Sequence, residues 1–162
     1  MLAELAVRGT IALATTAWAG AEWTRLALRN RWRTARVLWT AGAVLAATHM
    51  LAAFHYVHAW DHRAALAATA RQTAALTGLD WGGGLYVNYA FVGLWLWDAA
   101  EWWRNPDKYA RRTRKSRELL LAVFLFMFIN GGIVFAQGPA RALGCAAVGA
   151  VLWAFARHRP RR

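Results

Sequence analysis

Apolar positions dominate five stretches of the chain, residues 2–23, 37–57, 85–103, 119–136 and 139–156, and polar residues collect between them. A helix that crosses a bilayer needs roughly 20 mostly apolar residues, because about 30 Å of hydrocarbon is covered at about 1.5 Å per residue. Residues 37–57 and 85–103 meet that length. Residues 119–136 and 139–156 are slightly short, but carry no acid or base apart from Arg141. Residues 2–23 are the weakest stretch, interrupted by Glu4 and Arg8. The pattern predicts an all-α, polytopic transmembrane bundle of four or five spans. At 162 residues it would form one integral membrane domain over residues 1–162.

The segments between the runs carry turn and cap signals. A structureless loop over residues 58–84 would be unusually long. Residues 63–77 are rich in alanine, Asp61 can cap a helix there, and Gly78 can end it. A short amphipathic helix on the non-cytoplasmic face is the better expectation. Gly82-Gly83-Gly84 would then make the re-entry turn, with Trp60 and Trp81 at headgroup level. Gln137-Gly138-Pro139 reads as a tight turn, with Pro139 in the first turn of the last helix. Gly131, Gly132, Gly144 and Gly149 would allow close helix contact, which drives association where lipid removes the hydrophobic force.

Charge sets the expected orientation. The formal net charge is +12 with a pI near 11.5, which in a soluble chain would point to nucleic acid. Here sixteen of the 20 Lys and Arg residues fall on one side of the predicted spans. Arg25, Arg29, Arg31, Arg33 and Arg36 follow the first run. Arg104, Lys108, Arg111, Arg112, Arg114, Lys115 and Arg117 follow the third. Arg157, Arg159, Arg161 and Arg162 form the tail. Short basic loops stay cytoplasmic. The expectation is therefore an N-terminus outside and a C-terminus inside, in a bacterial inner membrane, with no nucleic-acid partner. The basic loops suit anionic lipid headgroups. Ala17-Trp18-Ala19 also resembles a signal-peptide cleavage site, but cleavage would put the first basic loop on the wrong side. If residues 2–23 instead lie flat on the cytoplasmic surface, the rest of the topology is unchanged.

Two stretches look alike at an offset of 79. Trp18-Ala-Gly-Ala-Glu22-Trp23-Thr-Arg25 and Trp97-Asp98-Ala-Ala-Glu101-Trp102-Trp103-Arg104 share Trp, Ala, Glu, Trp and Arg. Either a helical hairpin is duplicated, or Trp and Arg simply recur at membrane interfaces. The acids Glu22, Asp98 and Glu101 lie at the cytoplasmic ends of their spans. Pairing with Arg25, Arg29 or Arg104 is expected there.

Candidate chemistry is concentrated in one stretch, which holds His49, His55, His58 and His62, four of the five histidines. On one continuous helix, His55, His58 and His62 would fall within about 60° of one another. Imidazoles so placed can converge on a transition metal such as zinc, copper or iron. A b-type haem is less expected. It takes two axial ligands, and only one span holds histidine, so the second would come from another copy, a partner subunit or Met127. His49, Asn88, Tyr89 and Asn130 map to the same half of the bilayer as His55, and a polar pocket among them is a default site. The opposing expectation is that these residues only anchor interfaces and cross-link helices. The lone cysteine, Cys145, has no internal disulfide partner. No phosphate-binding loop, serine nucleophile elbow or Cys-x-x-Cys is present.

Three function classes follow. The first is an accessory or scaffold subunit of a membrane assembly, binding other membrane subunits or its own copies, with a His-lined site near the non-cytoplasmic face. The second is a metal- or haem-binding protein or enzyme. The third is a small transporter. The third needs a polar path between the pocket and the acids, and residues 90–97 supply no polar side chain for one beyond the indoles of Trp95 and Trp97.

Overall fold

The computed structural model describes residues 2–28 and 30–158, and among these the chain is all-helical with no strand. The elements are α1 (Leu2–Ala27), α2 (Trp32–Tyr56), α3 (His62–Thr77), α4 (Gly84–Arg104), α5 (Pro106–Ala110), α6 (Arg114–Ile129), a π-helical turn (Asn130–Val134) and α7 (Gly138–His158). Three stretches are long and apolar enough to cross a membrane: Trp32–Tyr56, Arg114–Val134 and Gly138–His158. That supports a membrane protein. α1 and α4, at 26 and 21 residues, have the length but do not meet both conditions. Arg29 and the tail residues Arg159, Arg161 and Arg162, part of the basic clusters above, lie outside the described residues.

The five long helices pack into a bundle around aromatic rings. α1 lies against α2 along much of its length, and also against α7; α2 lies against α4. α6 closes the bundle through side chains. Phe124 meets Trp39 at 4.6 Å and Trp95 at 5.0 Å between ring centroids. Trp18 stacks on Phe128 at 4.1 Å with ring planes 15° apart. Trp18, Trp39, Trp95 and Phe124 are fully buried. Rings of this size each cover a large area and offset from one another, as their quadrupoles require. The indole N–H groups of Trp18, Trp39 and Trp95 find no acceptor among the described residues. Gly42 makes room for one of the rings, since a Cβ there would sit 2.5 Å from Trp95 Cζ2.

Helix ends gather in two groups. At one, the C-termini of α1, α4 and α7 meet the N-termini of α2 and α6 and the short α5. Trp23 stacks on Trp153 there at 5.2 Å, and Trp32 meets Trp102 at 5.9 Å. This is the arginine end. At the other, the histidine end, α2 finishes beside the start of α1 and α4, and α3 packs against α4.

The helix at residues 62–77 forms as its caps require. Asp61 accepts from the backbone N–H of Arg63 at 2.8 Å and of Ala64 at 3.2 Å. Gly78 ends the helix with φ +77°, a conformation glycine adopts without a Cβ penalty. Pro139 falls in the first turn of α7. Of the four glycines expected at helix contacts, two make one. A Cβ on Gly144 would collide with the Gly132 carbonyl, whereas Gly131 and Gly149 face open space. The two halves of the sequence repeat also differ. Trp18 is fully buried and Trp97 is 56% exposed. The α1–α2 pair packs closely along its length, while α4 and α6 meet through aromatic side chains.

Candidate binding cavity at the histidine end

His49 sits on the last third of α2, facing α1. Its Nδ1 lies 2.8 Å from the carbonyl oxygen of Val7. A carbonyl only accepts, so Nδ1 carries the proton in this bond, and in the neutral ring Nε2 keeps its lone pair. No periodicity in either helix announces this contact, because it joins residues 42 apart in sequence.

His49 opens onto a cavity of about 440 Å³ walled by α1, α2, α3, α4, the end of α6 and the π-helical turn. That volume suits a small organic molecule. Asn88 and Tyr89 line it with His49, so three of the four residues expected to form a polar pocket do share one space. Asn130 does not line it. Its side-chain amide donates to the Phe126 carbonyl one turn back at 2.8 Å, and Gly131 and Gly132 form the wall instead. Both glycines belong to the π-helical turn that starts at Asn130. Such turns recur at functional sites. His58 also lines the space, as do Thr69 and Gln72 of α3. The α3 residues were not legible in the sequence, since they reach the cavity only because α3 folds back over α4.

The histidine stripe does not form. α2 stops at Tyr56, and the N–H of Trp60 returns to the Phe54 carbonyl at 2.9 Å, closing the helix end. Ala59 and Trp60 take positive φ, and a new helix begins at His62. His55, His58 and His62 share a face only on a continuous helix, and the chain turns between them. His55 accepts from Trp60 Nε1 at 3.2 Å. His62 lies between two phenols, 3.2 Å from Tyr86 on one ring nitrogen and 3.2 Å from Tyr89 on the other. His58 packs edge-on to Phe54 at 5.8 Å. Among the described residues, no three His, Cys, Asp or Glu side chains come together as a metal ion needs.

The acids form a separate cluster at the arginine end. Glu22 and Asp98 are buried at 3% and 1% exposure. Glu22 pairs with Arg25 at 2.9 Å, and the Arg25 guanidinium lies 5.6 Å from the Trp39 ring and 5.7 Å from the Trp102 ring. Asp98 takes neither Arg25 nor Arg104. It pairs with Arg112 and accepts from the Tyr109 hydroxyl at 2.8 Å. Tyr109 in turn stacks on Trp102 at 4.3 Å, with planes 3° apart. Burial, followed by the Asp98 carboxylate, pushes the Tyr109 phenol well above its ordinary pKa, and Arg25 and Arg112 oppose the shift. Glu101 meets Arg104 more loosely at 3.9 Å. The short α5 that brings Tyr109 and Arg112 back onto Asp98 carried no sequence signal beyond Pro106. A smaller cavity of about 210 Å³ opens beside this cluster, lined among others by Arg25, Arg114, Arg117 and His158.

No protein-family model, curated protein or solved structure matches this chain.

Proposed function

We propose that this protein is a five-span membrane protein with its histidine end outside and its arginine end in the cytoplasm, acting as an accessory subunit of a membrane assembly that holds a membrane-soluble small molecule in its outer half. The cavity is the observation that carries the reading. It is large enough for a ligand, mostly apolar, and set with a few polar groups, as binding sites are. Two of its lining residues, Asn88 and Gly131, are also exposed on the flank of the bundle, so the space reaches the surface between α4 and the π-helical turn. Gln72 and Val57 are exposed at its upper rim. In the proposed orientation, one opening faces lipid and the other faces the outer interface. The basic groups around the smaller cavity suit phosphate headgroups of the inner leaflet.

Transport is the less favoured reading. Trp18, Trp39 and Trp95, all fully buried, fill the bundle between the outer cavity and the Glu22–Asp98 cluster.

The test is extraction of the protein with its native lipid into nanodiscs, followed by mass spectrometry of what it retains. A lipophilic small molecule enriched over bulk lipid is expected in the wild type. Gly131→Leu, whose side chain enters open space at the flank opening, is expected to lose it without losing stability. A wild type that retains only bulk lipid would sink the reading.

A further inference from the structure

Resting on the binding reading above, we infer that the cavity selects a neutral lipophile with a hydroxylated aromatic head, a long-chain phenol or quinol, whose hydroxyl donates to His49 Nε2. Charge is the first argument. Among the described residues, no Asp, Glu, Lys or Arg lines the cavity, so a phosphate or ammonium headgroup would be desolvated there without a partner. The same absence leaves nothing in the lining to balance an imidazolium.

Hydrogen-bond polarity is the second. The Val7 carbonyl takes the Nδ1 proton, so His49 offers the cavity an acceptor rather than a donor. A ligand oxygen that bears hydrogen satisfies it, and an ether or ketone oxygen does not. Acceptors on the ligand have donors to meet. Asn88 brings a side-chain amide to the lining. A phenolic oxygen can donate to one of these partners and accept from another.

Shape is the third. Phe54, Tyr89, Phe91, Trp95 and Phe128 all contribute to the walls. Aromatic walls at this density favour a planar ring over an alkyl alcohol, each ring contact adding about 0.5–1.5 kcal/mol beyond area. The opening at Asn88 and Gly131 leaves a way out for an alkyl tail into the surrounding lipid.

The experiment measures binding of para-decylphenol to the full chain in nanodiscs, beside its methyl ether para-decylanisole, 1-decanol and decyl phosphate. Wild-type protein is expected to bind the phenol at least about tenfold more tightly than the ether, the worth of one hydrogen bond. His49→Leu is expected to bind phenol and ether alike. That variant leaves no orphaned carbonyl, because Val7 also accepts from the Thr10 hydroxyl. Equal binding of phenol and ether by wild type would overturn the hydroxyl readout without recourse to any variant. Decanol or decyl phosphate binding as tightly as the phenol would overturn the ring or the neutrality argument. If none of these probes bind while the nanodisc extraction still yields an enriched lipophile, the inferred ligand class falls and the binding cavity stands. If neither experiment yields a ligand, both fall.

Discussion

Asp98 shows how much one residue can depend on partners far from it in sequence. Its carboxylate is buried at 1% exposure and held by Arg112 and Tyr109, 14 and 11 residues away. Removing one partner of a buried ion pair leaves the other charge without compensation, at a cost of about 3–5 kcal/mol. Arg112→Ala is therefore expected to destabilise the protein by about that much in a detergent-unfolding titration. Asp98→Asn/Arg112→Ala together should cost less than the sum of the single changes, and strict additivity would show that the pair is not coupled. Tyr109 gives a pH signature. Its phenol is favoured in the protonated form by the fold, so its contribution to stability is complete below the ordinary pKa of 10 and declines as pH rises above it. In an ultraviolet titration, Tyr109→Phe should remove a late-ionising step. The acids themselves were readable from the sequence as ion-pair candidates. Their partners were not, because the choice among many nearby arginines is made by burial, not by spacing.

At the scale of elements, local signals and tertiary contacts divide cleanly. The start and stop of α3 follow from Asp61 and Gly78 alone. Asp61→Ala should cost about 1 kcal/mol of local stability and raise amide exchange in the first turn of α3 only. The contact of the π-helical turn with α7 depends on the partner helix. Gly144→Ala places a methyl group into the Gly132 carbonyl, and overpacking of this kind costs about 1–3 kcal/mol. Gly149→Ala, on the same helix, meets nothing within 4 Å and should be silent. Equal effects of the two substitutions on thermal unfolding would contradict this packing. Both glycines look equivalent in the sequence. The histidine stripe failed for a related reason: a 3.6-residue period describes a face only while the helix continues, and α2 ends at Tyr56.

For the whole molecule, the proposed topology puts exposed Gln72 and exposed Lys108 on opposite sides of the membrane. In a Cys145→Ser background, a membrane-impermeant thiol reagent added to intact cells should label Gln72→Cys and spare Lys108→Cys. Labelling both, or only the second, would overturn the orientation. The bundle also separates two polar regions. The cavity at the histidine end and the acid cluster at the arginine end lie on either side of buried tryptophans, so substitutions at His49 and at Asp98 should affect stability additively.

What the sequence determined by itself is the helical character of the chain, the approximate limits of its apolar runs and the caps of α3. These depend on interactions within one or two helical turns, or on solvent preference summed over about 20 residues. It also placed His49, Asn88 and Tyr89 in one region, because depth along a helix can be counted from its end. Only the tertiary structure decided that His49 turns to Val7, that Asn130 turns away, and that His55, His58 and His62 part company. Rotation about a helix axis and the choice between equivalent partners are settled by packing across the bundle, where side chains distant in sequence compete for the same space.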